Sequence, residues 1–259
     1  TKSEKLNFLT VELLDTKDTD NIKGGLLDVM HQYGARQLQI GDIRGDNEFE
    51  VAELRKALLP AKLHICEKGA HVGGIERSIR HVKERARCTC HAVPYKRYTK
   101  LMTKALVEGV IYWLNSFPSK NGISQTMSPA SIVLGRPKPD FYHKRITFGS
   151  YALAYHDTDN TMKRRAVPAI ALKESNEHGG HYFMSLLSGK RIHSHNWTEL
   201  PIDNDVIARV EELASKENQP ELPNKSPIFE WAPGIEVEPI DEEDKPESGE
   251  DTDEISSNQ

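Results

Sequence analysis

The sequence predicts an α/β first half joined to a small all-β unit. Strand-like and helix-like patterns alternate over the first ninety residues, two long amphipathic helices follow, and beyond Gly135 the chain breaks into short strands between Gly-, Asn- and Asp-containing turns. At 259 residues, 37% hydrophobic and 28% charged, the chain can build such a core, and wholesale disorder is excluded. No apolar run reaches the ~18–20 residues of a membrane span and no signal-peptide pattern opens the sequence, so a soluble protein with no membrane partner is expected. Three cysteines, Cys66, Cys88 and Cys90, form no disulfide framework and suit a reducing compartment. The chain opens on Thr rather than Met, which reads as a fragment or a processed product.

Each element has a local reason. Residues 6–14 are apolar at Leu6, Phe8, Val11, Leu13 and Leu14 and predict a strand. Residues 18–33 place Ile22, Leu26, Leu27, Val29 and Met30 at helical spacing behind Asp18 and Asp20, which suit the positive end of a helix. Alternation returns over 36–43, ending in the turn Arg44-Gly45-Asp46-Asn47. A short helix over 50–59 is stopped by Pro60 and followed by a strand over 62–66.

A glycine-bearing loop, Lys68 to Gly74, then leads into a helix over 74–90 with Ile75, Ile79, Val82 and Ala86 on one face. A second long helix spans 99–117, and Ser128-Pro129 reads as a cap and first helical position. Strands over 146–155, 167–172, 181–187 and 190–197 suit a small barrel or sandwich, and a helix over 205–214 precedes a Pro-rich and then acidic tail.

The net charge of −5 conceals a strong asymmetry. Residues 61–150 carry eleven more Lys and Arg than Asp and Glu, whereas residues 241–259 carry eight more acidic than basic side chains. Clustered cations attract polyphosphate and displace its counterions, so the middle of the chain is a candidate nucleic-acid face, with a solvated helical surface as the plain alternative.

Two carboxylates stand out against that background. Asp46 follows a strand, where sites collect in α/β sheets, and Glu76 opens the long helix after the glycine loop. Such a pair suits a hard divalent cation, although an acidic residue at a helix start is also what the helix dipole favours. Arg80, Lys83 and Arg87 follow Glu76 by four, seven and eleven residues and share its face, which Arg77 and Arg85 widen. An i,i+4 ion pair between Glu76 and Arg80 is the competing explanation.

Those residues resemble a known family. Gly45-Asp46-Asn47-Glu48-Phe49 is similar to the second acidic motif of copia-type LTR-retrotransposon integrases, with Glu48 where many relatives have Gly. His71-Val72-Gly73-Gly74-Ile75-Glu76-Arg77-Ser78-Ile79-Arg80 resembles their glycine loop and following helix. The likeness continues through Met127-Ser128-Pro129 and Phe148-Gly149-Ser150-Tyr151 to His195-Asn196-Trp197-Thr198-Glu199-Leu200-Pro201, leaving only the acidic tail uncovered.

The resemblance implies a ribonuclease-H-like core whose Asp, Asp, Glu set holds two Mg²⁺ or Mn²⁺ ions for in-line attack on a phosphodiester. By that likeness Asp46 and Glu76 are the second and third carboxylates and metal ligands, and Arg77, Arg80, Lys83 and Arg87 are DNA-binding residues. The strand over 6–14 resembles the family's third, so the first two strands and the first Asp are expected to be missing. Asp15, Asp18 and Asp20 lie at a turn and helix start and are poor replacements.

The expected organisation is a partial integrase core and helical extension over 1–135, a small β-barrel-like domain over 136–202, a helix over 203–218 and an acidic linker over 219–259. The implied partners are element and target DNA and further copies of the chain, in a nucleus or cytoplasm. The expected activity is DNA strand transfer, lost here with the first Asp. The competing readings are a non-catalytic nucleic-acid-binding or interaction protein derived from such an element, and a plain α/β scaffold. His193 and His195, the Cys88-Thr89-Cys90-His91 run and the aromatic residues Trp113 and Trp197 read as packing or surface features, and Lys163-Arg164-Arg165 as DNA-contacting or simply exposed.

Overall fold

The computed structural model describes residues 1–14, 16, 18–66, 73–120, 122–136, 138–139, 145–155, 165–175 and 179–222. Most of the glycine loop, Asp15, Lys163, Arg164 and the tail from residue 223 lie outside the described residues. Within the compact unit 1–229 the fold is mixed α/β, with a two-stranded parallel sheet and a five-stranded antiparallel one.

Helix α1 (Thr19–Gly34) starts at Asp18, whose Oδ1 accepts from Asn21 N–H at 2.8 Å. The helix has two apolar stripes. Val29 and Tyr33 pack on Phe8 and Val133, while Ile22, Leu26 and Met30 cover Leu54, Leu58 and Leu63. Those three leucines come from α2 (Ala52–Ala57), the turn after it and strand β2 (Lys62–Ile65). Strand β1 (Asp42–Gly45) pairs in parallel with β2, Gly45 opposite Ile65, and α2 is the crossover between them.

The strand expected over 6–14 is absent. The segment makes one isolated bridge, Lys2 with Leu9, and its other backbone groups find irregular partners: Thr10 N–H donates to Thr1 O at 3.0 Å, and Leu9 N–H donates to Asn115 Oδ1 at 2.9 Å. Alternation specifies which face a strand would bury, but a ladder also needs a partner strand, and none lies beside this segment among the described residues. The strand expected over 36–43 likewise contracts to β1, with Leu38 and Ile40 packing onto the Phe8 cluster from outside it.

Helices α3 (Gly73–His91) and α4 (Lys100–Asn115) form a hairpin whose junction lies in the largest core. Ala86, Cys90, Tyr95, Tyr98, Met102 and Leu106 pack there on one face of the antiparallel sheet and on α6 (Asn204–Lys216). Thr99 caps α4, its hydroxyl accepting from Met102 N–H, and Tyr95 donates its buried hydroxyl to Gly149 O at 2.9 Å. Burial fades along both helices away from the junction. The apolar stripe expected on α3 holds at Ala86 but not at Ile79, which is 48% exposed, and Phe117 beyond the far end of α4 is 58% exposed. Helix α5 (Pro129–Leu134) starts at Ser128 and stops at Gly135 in the left-handed conformation, as the sequence predicts.

Five strands complete the fold: β3 (Tyr151–Tyr155), β4 (Ala166–Glu174), β5 (His181–Ser185), β6 (Arg191–Ser194) and β7 (Trp197–Leu200), ordered β6-β5-β4-β3-β7. The edge strands β6 and β7 are consecutive in the chain and are joined by only His195 and Asn196. The strand expected over 190–197 therefore breaks in two, at a bend where the Ser194 hydroxyl reaches the Tyr155 and Asn196 carbonyls at 2.7 and 2.6 Å. Small residues line the other face, Ala152, Ala154, Ala169 and Ala171 around Phe183. Strand β4 buries four consecutive residues because Ile170 and Leu172 face the helices while their neighbours face this second cluster.

Candidate metal centre and nucleic-acid interface

Because β1 and β2 are parallel, both release the chain at the same end of the sheet. Asp46 is the first residue after β1. Its Oδ1 accepts from Asn47 N–H at 2.7 Å and caps the single 3₁₀ turn Asn47–Phe49, leaving the side chain exposed. Glu76 lies in the first turn of α3, the helix that follows β2, and is also exposed. Asp46 thus leaves the carboxyl end of the parallel pair, whereas residues 67–72, which lead from β2 to the helix of Glu76, lie outside the described residues. Lys2 ties the start of α3 to the N-terminal segment, its Nζ donating to Gly74 O at 3.3 Å.

Exposed carboxylate oxygens are the donors Mg²⁺ prefers, so Asp46 and Glu76 suit one such ion; two ions require a further bridging carboxylate. Among the described residues no group of three His, Cys, Asp or Glu side chains is arranged to hold a metal. Asp18 is committed to capping, and the Thr16 hydroxyl and Asn21 N–H hold its carboxyl below the usual range. Asp20 pairs with Lys23 at 3.7 Å.

The basic residues of α3 sort onto two faces. At ~100° per residue, Glu76, Arg80, Lys83 and Arg87 fall within a stripe about 60° wide. Arg85 lies on the far side of the helix from that stripe and does not widen it; its Nε meets His81 Nε2 at 3.4 Å. Arg77 stands at the border, and Arg77, Arg80, His81, Glu84, Arg85 and Cys88 all line a cleft of about 1010 Å³ between α3, α4 and the antiparallel sheet. The ion pair between Glu76 and Arg80 that a bland solvated helix would make is not formed, and Arg80, Lys83 and Arg87 meet no carboxylate among the described residues.

No known protein-family model and no curated protein matches this chain.

Sequence reading did not foresee the cleft, whose walls come from seven separated stretches of chain. It also missed two polar features of its floor. Lys173 pairs with Glu108 at 2.6 Å, both side chains about three-quarters buried, and Glu174 stands opposite His181 across β4 and β5, both buried. His193 and His195 lie with ring centroids 4.8 Å apart, and His193 Nε2 sits 2.6 Å from Gly179 O, a packing role in keeping with the sequence reading. Cys90 is buried at the end of α3, and burial pushes its thiol up to about 11, while Cys88 is exposed.

Proposed function

We propose that this chain is part of a retrotransposon-type integrase, a polynucleotidyl transferase with a ribonuclease-H-like core that joins element DNA ends to target DNA. The observation that carries the reading is the α3 stripe: one carboxylate at the helix start followed by three cations, none of them neutralised by a neighbouring acid among the described residues. A solvated helix stabilises itself with i,i+4 pairs; a helix that binds phosphate keeps its cations free. The parallel β1–α2–β2 unit supports the reading, because it presents Asp46 beyond the carboxyl end of a strand. The motif resemblance from Gly45 to Pro201 supports it independently.

In this reading Asp46 and Glu76 hold Mg²⁺ or Mn²⁺. When bound, the metal lowers the pKa of an attacking water or 3′ hydroxyl and stabilises the leaving oxygen. Arg80, Lys83 and Arg87 neutralise successive phosphates and set the direction of the DNA along α3, and Arg77 serves the border of that track. The reaction needs the third carboxylate of the family set, and none joins Asp46 and Glu76 among the described residues. The 259-residue chain is therefore expected to bind DNA, as one copy of an oligomer, without transferring strands. No described helix is long and apolar enough to cross a membrane.

The test is strand transfer of a labelled DNA end with Mg²⁺ or Mn²⁺, comparing this chain with one extended upstream by the parent reading frame. Activity in the extended chain alone, abolished by Glu76→Gln, is the expected result. Absence of activity in both, with DNA binding retained, favours a nucleic-acid-binding protein derived from such an element, a reading the two-carboxylate set also supports.

A further inference from the structure

The cleft beside α3 lies mainly on the helix surface away from the DNA stripe and meets that stripe at Arg80, which also lines it. One wall is mainly cationic: Arg77, Arg80 and Arg85 line it beside Glu84, and none of the three arginines pairs with a carboxylate among the described residues. The facing wall is apolar. Val110 and Leu114 lie one turn apart on α4, beyond the core residue Leu106, and Trp113 stacks on Phe117 with centroids 6.2 Å apart and planes 21° apart. Midway along this wall sits Gly109, where an added Cβ would meet no atom within 4 Å. A glycine inside a helix costs stability relative to alanine, and here its missing side chain leaves the floor of the groove open to close approach.

Length and chemistry identify the occupant. The lining runs from Arg77 to Thr89 on α3 and from Ala105 to Phe117 on α4, ~18 Å along each helix and equal to about twelve helical residues. Aliphatic side chains one turn apart are the ridges against which another helix packs. A helix with apolar residues on one flank and carboxylates on the other satisfies both walls at once. Duplex DNA presents a phosphate-lined surface that does not match the apolar α4 wall.

We propose that the α3–α4 cleft is a docking groove for an acidic amphipathic helix of a partner protein. The site borders the DNA stripe and shares Arg77 and Arg80 with it, but its apolar wall and Gly109 are its own, so its occupancy does not depend on the integrase reading.

The test is fluorescence anisotropy of the whole chain with a labelled fifteen-residue probe helix, carrying Leu and Trp on one face and Glu on its flanks. Expected is binding at least about tenfold tighter than to the same probe with Lys for Glu, and a loss of at least about tenfold in both Gly109→Leu and Arg77→Glu/Arg85→Glu. Lys83→Ala/Arg87→Ala leaves probe binding unchanged. Gly109→Leu adds a better helix former, so its circular dichroism and melting temperature hold, which separates blocking from unfolding. Equal binding of the Lys probe, no binding of the Glu probe, or indifference to Gly109→Leu would each overturn the proposal.

Discussion

The two sheets of this protein differ in how they are supported. The five-stranded sheet lines one face with small residues around Phe183 and packs its other face against α3, α4 and α6 through a cluster of sixteen buried residues. The parallel sheet has two strands of four residues and a cluster of three buried leucines beneath α1. The chemistry-bearing residues follow the weaker part: Asp46 leaves β1, and Glu76 sits on the half of α3 that extends beyond the large core. The antiparallel sheet anchors α3 by its carboxyl end, and the amino-terminal end, with its exposed carboxylate and cations, is presented rather than packed.

That contrast is broken first by core truncation. Met184→Ala, at a fully buried position facing the helices, is expected to cost about 2–5 kcal/mol and to lower Tm by roughly 5–15 °C in a thermal melt. Leu63→Ala in the small cluster should act locally instead: hydrogen exchange speeds up in β1 and β2 while β4 and β5 keep their protection. Equal loss of protection in both sheets would show that the two cores unfold as one.

Alkaline titration is the next largest effect. Cys90, Tyr95 and Tyr98 share the large core, and burial raises all three, the thiol from its ordinary 9.0 to about 11. Raised values mean that the folded state holds these protons more tightly, so their contribution is intact below pH 9 and falls as the unfolded chain ionises above it. Denaturant midpoints measured at rising pH should drop from about pH 9 onward, and Cys88 should react with an alkylating agent well before Cys90. Smallest is Ser128→Ala, which removes the hydroxyl that accepts from Ser131 N–H at 3.1 Å and should cost about 1 kcal/mol by chemical denaturation.

The parts of the fold legible in the sequence are those set by local chemistry. Thr99 and Ser128 cap the helices they precede, Gly135 ends α5, and the periodicity of α6 marks its buried face of Val206, Val210 and Leu213. What failed depended on neighbours distant in sequence. Alternation over 6–14 cannot reveal that the Asn115 amide, rather than a strand, bonds the Leu9 backbone, its side chain accepting from Leu9 N–H and donating to Leu9 O. Helical spacing placed Glu76, Arg80, Lys83 and Arg87 on one stripe, but that Arg85 faces a cleft follows only from where α4 and the antiparallel sheet stand. Ile79 fits the apolar pattern yet is exposed because the large core ends before reaching it.

The most direct measurement of the central claim is the salt dependence of DNA-end binding by the intact chain and two variants. If α3 presents its stripe to phosphate, Lys83→Ala/Arg87→Ala weakens binding and reduces the slope of log K against log salt by about 2, whereas Arg85→Ala leaves the slope within about 0.5 of wild type. An unchanged slope in the double variant, or a larger change on removing Arg85, would contradict the account.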